Sequence, residues 1–202
     1  YGIETMVKTV EDIYDEYEDL KRYVNEKLWD EDSAFYYDLW RDGSFSGVKS
    51  IAAYWSLIAQ AVPESRLERF LYHLESSQEF NRSHRVPTLS FDSIGYNKDD
   101  GGYWKGAIWS PTNYMLLKGL TAYGKDDLAY DIAMNHLGNV WQVYEETGTV
   151  WENYSPESAK HGAARKDFVG WTGVSPIAIL FEYCFGLKAN VPENRLIWDV
   201  RL

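Results

Sequence analysis

Glu152 is the residue in this chain whose neighbours best suit proton chemistry. It lies in the run Val150-Trp151-Glu152-Asn153-Tyr154-Ser155-Pro156, between two rings. A carboxylate among rings is partly desolvated, and that suits it to acid–base work. The alternative is a structural carboxylate capping the following helix, and Glu157 fits that part as a helix-start acid. Two more aromatic segments share the layout: Gly102-Tyr103-Trp104-Lys105-Gly106-Ala107-Ile108-Trp109-Ser110-Pro111 and Phe168-Val169-Gly170-Trp171-Thr172-Gly173-Val174-Ser175-Pro176. Each of the three ends on Ser-Pro. A Ser hydroxyl can cap free backbone N–H groups, and Pro has no N–H to lose at the first helical position. At least two of the pairs are therefore expected to open helices. Tyr103, Trp104 and Trp109 could stack on the apolar C–H faces of a sugar or fill a core, and Trp171 could be a subsite wall or a barrel plug. Gly101, Gly102 and Gly106 permit a tight backbone bend that a core aromatic would not need. Lys105 and Asn113 could bond sugar hydroxyls, and Asn113 could equally serve backbone.

Other candidates for chemistry are weaker. Asp38, Asp99, Asp100 and Asp167 could each supply a second carboxyl, but each is better explained as solvated or bonded to backbone. His73, His84, His136 and His161 show no ligand spacing with one another, so no metal is expected. No glycine-rich phosphate loop is present, and no cofactor is expected. Cys184, the single cysteine, has no partner for an intrachain disulfide and reads as a small buried apolar residue. The net charge of −11 leaves no basic face for nucleic acid or an anionic membrane surface, whereas a neutral sugar is unaffected by it. Aromatics make up 16% of the chain, which fits a flat ligand or a bulky helical core.

The elements that must position these residues follow from periodicity. Apolar residues at Met6, Val10, Ile13, Tyr17, Leu20, Val24 and Leu28 mark one helix face over residues 6–28, with acids on the other face. Phe35-Tyr36-Tyr37-Asp38-Leu39-Trp40 and Asp42-Gly43 predict a hairpin or extended loop with its turn at Asp-Gly. Helical spacing returns over 48–61, after Pro63, from Pro111 to Gly124, over 126–145, and from Pro176 to Gly186. Residues 77–106 have no period and five Gly or Pro, and a long segment without elements is often functional. The tail from Asn190 is extended, with Val191, Leu196, Ile197 and Val200 as strand residues. About seven helices and hardly any strand make an all-α class, in one domain over 1–202. Helical hairpins joined alternately by short turns and long aromatic loops would gather those loops, and a site, at one end.

The motifs themselves resemble a known group. Gly101-Gly102-Tyr103-Trp104-Lys105-Gly106-Ala107-Ile108-Trp109-Ser110-Pro111-Thr112-Asn113-Tyr114 is similar to the GGYWRGxxWxPxNY signature of glycoside hydrolase family 63 and its trehalase-like relatives. The segment from Thr147 through Glu152-Asn153-Tyr154 to Glu157 resembles the group's G-T-x-x-E-N-Y-x-P run. Asp167 to Gly173 resembles its DFVGWSG run, and Phe35-Tyr36-Tyr37-Asp38 its FYYD element. The matches lie in order and cover roughly residues 28–186. The resemblance implies an (α/α)6 barrel, the six-hairpin glycosidase fold, and an inverting hydrolase of α-linked glucose or mannose. It maps the general base to Glu152 and sugar contacts to Tyr103, Trp104, Lys105, Trp109, Asn113, Tyr154 and Trp171. Lys105 departs from the group's Arg, replacing a bidentate fork by a point charge. The group's general acid is an Asp in a W-D segment of the first half of the barrel. The Trp-Asp pairs here, Trp29-Asp30 and Trp198-Asp199, lie in neither the right order nor the right context.

The chain therefore reads as the C-terminal half of such a barrel. Its partner is expected to be the N-terminal half or a second copy, and its first residue, Tyr1, suggests a processed chain or an excerpt. A second reading is a non-catalytic carbohydrate-binding or subunit-like half-barrel that lacks the acid. A third is a helical interaction domain with no ligand. Sequence alone does not assign a compartment.

Overall fold

A computed structural model describes residues 8–168 and 170–200; Met6 and Val169 lie outside the described residues. Six helices follow one another. Helix α1 (Val10–Tyr23) starts at Thr9, whose hydroxyl accepts from Asp12 N–H (3.1 Å) while the Asp12 carboxylate accepts from Thr9 N–H (2.8 Å). This reciprocal capping satisfies two donors that the first turn leaves open. The helix then continues through a wider turn, Val24–Leu28. Residues 48–61 form a tight turn, Ile51–Tyr54, and a one-turn helix α2 (Trp55–Ile58), shorter than the periodicity suggests. Helix α3 (Glu64–Glu75) follows Pro63. Helices α4 (Ser110–Ala122) and α5 (Asp126–Thr147) are joined by three residues, which makes them an antiparallel hairpin. Helix α5 stops at Gly148, which takes φ = 71° and donates its N–H to Tyr144 C=O (2.7 Å). Helix α6 (Ser175–Cys184) is wound with i→i+5 bonds. Helices α4, α5 and α6 pack on one another, and α2 packs on α4.

Two of the three Ser-Pro pairs open helices, as expected, and Ser155-Pro156 lies in a loop. Neither of the two helix-opening serines caps. Trp109 and Val174 occupy the cap positions, and Ser110 and Ser175 are the first helical residues. Their hydroxyls bond each other (2.6 Å), so α4 and α6 begin side by side.

Strand content is small, as expected. Trp29–Asp30 pairs antiparallel with Phe35–Tyr36, and Leu39 pairs with Phe45 around the predicted turn, where Gly43 takes φ = 86°. In the tail, Leu187–Asn190 pairs antiparallel with Arg195–Trp198. Leu196 and Ile197 lie on that second strand, while Val191 falls in the turn and Val200 beyond the pairing.

The main core joins Phe35, Tyr54, Phe70 and Phe80 to Leu57, Leu67, Leu74, Leu116, Leu117, Leu120, Ile132 and Ile179. Its rings interlock: Tyr54 stacks on Phe70 (4.5 Å), and Phe35 meets both edge-on. A smaller cluster of Ile108, Val140, Val143 and Tyr154 lies under the loop that carries Glu152. Helix α1 is the exception. No residue of it is buried, and Val10, Ile13 and Leu20 of its apolar stripe stay exposed. The far end of the stripe does reach the core: Val24 and Leu28, in the wider turn, pack against it, and Tyr17 donates to Ala59 C=O (3.0 Å).

Gly119 of α4 lies directly against α2. A Cβ there would lie 2.7 Å from Leu57 Cβ and 3.2 Å from Ile58 N, neither of which can yield. Gly119→Ala is therefore expected to lower stability by about 1–3 kcal/mol despite its better helix propensity. A urea melt showing an unchanged or higher midpoint would contradict this packing.

Candidate active site

Two of the three loops meet on one buried indole. Trp109 is fully enclosed: Trp104 stacks on it (4.3 Å between centroids, 4° between planes), and Tyr103 (4.8 Å) and Trp171 (5.3 Å) meet it edge-on. Its Nε1–H donates to Tyr103 C=O (2.8 Å). Burying Trp109 thus exposes its neighbours. Trp104 is 47% and Trp171 50% exposed, so two indoles on different loops offer faces to solvent.

The first loop is bent by its glycines. Gly101 takes φ = 75°, and a Cβ there would sit 2.2 Å from Ala107 N. Gly106 takes φ = 127° against the ring of Tyr96. Between them Tyr103 itself takes φ = 67°, an unusual conformation for a bulky residue. Strain of this kind persists only where surroundings hold it, and here both ends of Tyr103 are held. Its carbonyl accepts from Trp109, and its hydroxyl donates to Glu152 Oε1 (2.8 Å). That bond to a carboxylate raises the Tyr103 phenol above its ordinary value.

Glu152 is only 9% exposed. Its second oxygen, Oε2, accepts from Arg165 N–H (3.3 Å), and its own N–H donates to Arg165 C=O (3.1 Å). Its carbonyl accepts from Thr172 Oγ1 (3.0 Å), which joins the third loop to the second. The first and second loops are zipped by two backbone bonds between Ile108 and Tyr154 (2.9 and 3.0 Å). The result is a carboxylate with two donors, at the junction of three loops, two of which carry exposed indoles.

Other expected site residues are placed as follows. Lys105 is exposed at the tip of the first loop. Tyr154 points inward, contrary to the sugar-facing expectation. It is packed with Ile108, Val140 and Val143, and its hydroxyl accepts from Trp151 N–H (3.3 Å). Asn113 is likewise buried, because it falls on the inner side of α4, and it donates to Arg85 C=O (3.1 Å). Glu157 does not start a helix. It accepts from Arg82 Nε (2.8 Å) and Nη2 (2.9 Å) and from Tyr96 OH (2.6 Å), which clamps the second loop to the segment 77–106. Asp100 accepts from Gly102 N–H (2.9 Å), and Asp38, Asp99 and Asp167 are exposed. Asp30 closes a turn by accepting from Ser33. Among the described residues no three His, Cys, Asp or Glu side chains are grouped to hold a metal ion, and no helix is long and apolar enough to cross a membrane.

Spacing gave no sign of Thr172, Arg165, Arg82 or Tyr96 as supports of the site. Arg165 acts through its backbone, and Arg82 lies 75 residues from the carboxylate it grips.

A helical bundle that gathers aromatic loops around a desolvated carboxylate at one end has the layout of a glycoside hydrolase. The chain belongs to the mannosylglycerate hydrolase MGH1-like glycoside hydrolase domain family, which it matches over residues 4–172. It is 27% identical over 165 residues to the mannosylglycerate hydrolase of Rubrobacter radiotolerans, covering 79% of this chain and 35% of that protein. Its fold is similar to the family 63 mannosylglycerate hydrolase of Thermus thermophilus, solved with Tris and D-glycerate (TM-score 0.63, 22% identity, 85% of this chain and 38% of that one). It is also similar to the neutral trehalase of Saccharomyces cerevisiae (TM-score 0.68, 16% identity, 86% and 31%). The fold is thus the all-α six-hairpin fold, and this chain holds part of it. It spans about two fifths or less of the length of the curated relatives it matches.

The Glu157 clamp makes stability depend on acid. Burial opposes its charge, but Arg82 and Tyr96 outweigh burial and hold its pKa below the ordinary value. A carboxyl lowered on folding adds stability that is fully present above its unfolded pKa, about 4.3, and is lost as pH falls through the folded value. The stability gap between the wild type and Glu157→Gln should therefore shrink as pH falls below about 5. Urea melts at pH 7 and pH 3.5 check this, and a gap that does not change with pH would rule the clamp out as an acid-sensitive element.

Proposed function

We propose that this chain supplies the general base and the stacking wall of an inverting glycoside hydrolase acting on an α-glucoside or α-mannoside. The observation that carries the reading is the environment of Glu152, a nearly buried carboxylate held by Tyr103 and Arg165 at the meeting point of three aromatic loops. The family match supports the hydrolase class, and the order of the motifs supports the assignment of Glu152.

In this reading a water molecule lies against Glu152. The carboxylate takes its proton as the water oxygen bonds to the anomeric carbon and the glycosidic bond breaks on the opposite face. A second carboxyl protonates the leaving oxygen. For inversion the two carboxyl groups stand about 6.5–9.5 Å apart, leaving room for the water. That acid belongs to the remainder of the barrel, outside this chain. Tyr103 fixes one carboxylate oxygen and Arg165 N–H the other, so the base needs no reorientation as the proton moves. Trp104 and Trp171 offer apolar faces to sugar C–H groups, and Lys105 offers a cation to hydroxyls. Tyr154 and Asn113 serve the frame that holds them.

The test is Glu152→Gln in the protein carrying both parts of the barrel. Turnover of an α-glucoside or α-mannoside should fall about 10²–10⁴-fold with sugar affinity kept. Proton NMR of the wild-type reaction should show the β-anomer first. Full activity in the variant would end the assignment of Glu152, and an α-anomer formed first would end the inverting mechanism.

A further inference from the structure

Four polar side chains with no exposure to solvent form a single chain of hydrogen bonds beneath the loops. His84 Nε2 meets His136 Nδ1 (2.9 Å), His136 Nε2 meets Ser175 Oγ (2.7 Å), and Ser175 Oγ meets Ser110 Oγ (2.6 Å). The far end is His84 Nδ1, a buried atom with no hydrogen-bond partner. Two proton assignments satisfy every contact, and the one in which each imidazole donates from Nε2 leaves the orphan a bare lone pair rather than a buried N–H. Burial favours these neutral rings, holding His136 down to about 4 and His84 well below its ordinary value.

The chain touches all three aromatic loops, each at its Ser-Pro junction. Ser110 directly follows the buried Trp109. Ser175 stands three residues after Thr172, which grips the Glu152 carbonyl, and four after Trp171. His84 donates its backbone N–H to Pro156 C=O (2.9 Å) in the Glu152 loop, and its ring lies 5.9 Å from that of Tyr154. Apolar packing could hold the loops close, but packing is not directional. Hydrogen bonds fix register, and in a dry interior each carries a high penalty if broken.

We propose that His136, on α5, is a positioning residue: through Ser175 and His84 it sets the three loops against one another and so places Glu152 relative to the Trp104–Trp171 wall. The kinetic part of this inference rests on Glu152 as the base; the structural part does not.

Hydrogen exchange read by mass spectrometry, on the chain as described, tests the structural part in His136→Phe and Ser175→Ala. Protection of the loop amides, including those of Glu152 and Tyr154, should fall about 10-fold, while helix α3 keeps its rate. His136→Gln, which retains a donor for Ser175, should recover part of the protection. Wild-type rates in the loops of both variants would overturn the proposal. So would an equal rise in α3, which would mean general destabilisation.

With the remainder of the barrel present, His136→Phe should lower kcat about 10²-fold with KM within about twofold. Loosened loops with wild-type kcat would overturn the positioning role. The expected exchange pattern in the two variants, together with full activity in Glu152→Gln, would sustain the structural part and sink the base assignment instead.

Discussion

The burial of Trp109 is the constraint on which the site depends. A large ring with one polar atom enters an interior only if that atom is paired and its faces are covered. Tyr103 meets both demands, through its carbonyl and its ring edge. Doing so forces Tyr103 into a left-handed conformation, which in turn carries its hydroxyl to Glu152. Trp104 and Trp171 cover the remaining sides of Trp109 and keep their outer faces in water. A binding surface and an oriented carboxylate thus follow from packing one side chain. The glycines on either side are required for the same reason, since a Cβ at Gly101 would strike Ala107.

Much of this was legible in the residues. Helical periodicity placed α1, α3, α4, α5 and α6, and Asp42-Gly43 placed its turn, because these signals depend on local chemistry. The family motifs gave the fold and brought Glu152, Tyr103, Trp104, Trp109 and Trp171 into view. Direction was not legible. Tyr154 and Trp171 both sit in aromatic loops, yet one is core and the other is half exposed, since a backbone pairing between Ile108 and Tyr154 turns the first inward. Ser110 and Ser175 look like caps from sequence, because capping is the local option for Ser before Pro. They bond each other instead because two helices begin side by side, which only the tertiary fold decides. The clamp on Glu157 was hidden by the 75 residues that separate it from Arg82.

The stripe on α1 shows the limit of periodicity in another way. Its spacing specifies a helix with one apolar face, and the helix forms with a complete capping box. Its face nonetheless leaves Val10, Ile13 and Leu20 exposed, while Val24 and Leu28 further along reach the core. A pattern of three and four reports that a face is meant to be buried, not which residues bury it.

The side-by-side start of α4 and α6 has an electrostatic consequence. Each helix carries a partial positive charge at its first turn, from backbone N–H groups that no carbonyl within the helix satisfies. Because the serine pair brings the two starts together, those partial charges add at the end of the bundle where the loops lie. In a chain with a net charge of −11, two helix starts are thereby directed at the end that carries the aromatic loops. That direction is set by the pairing of two buried serines, so substitutions on the surface leave it in place.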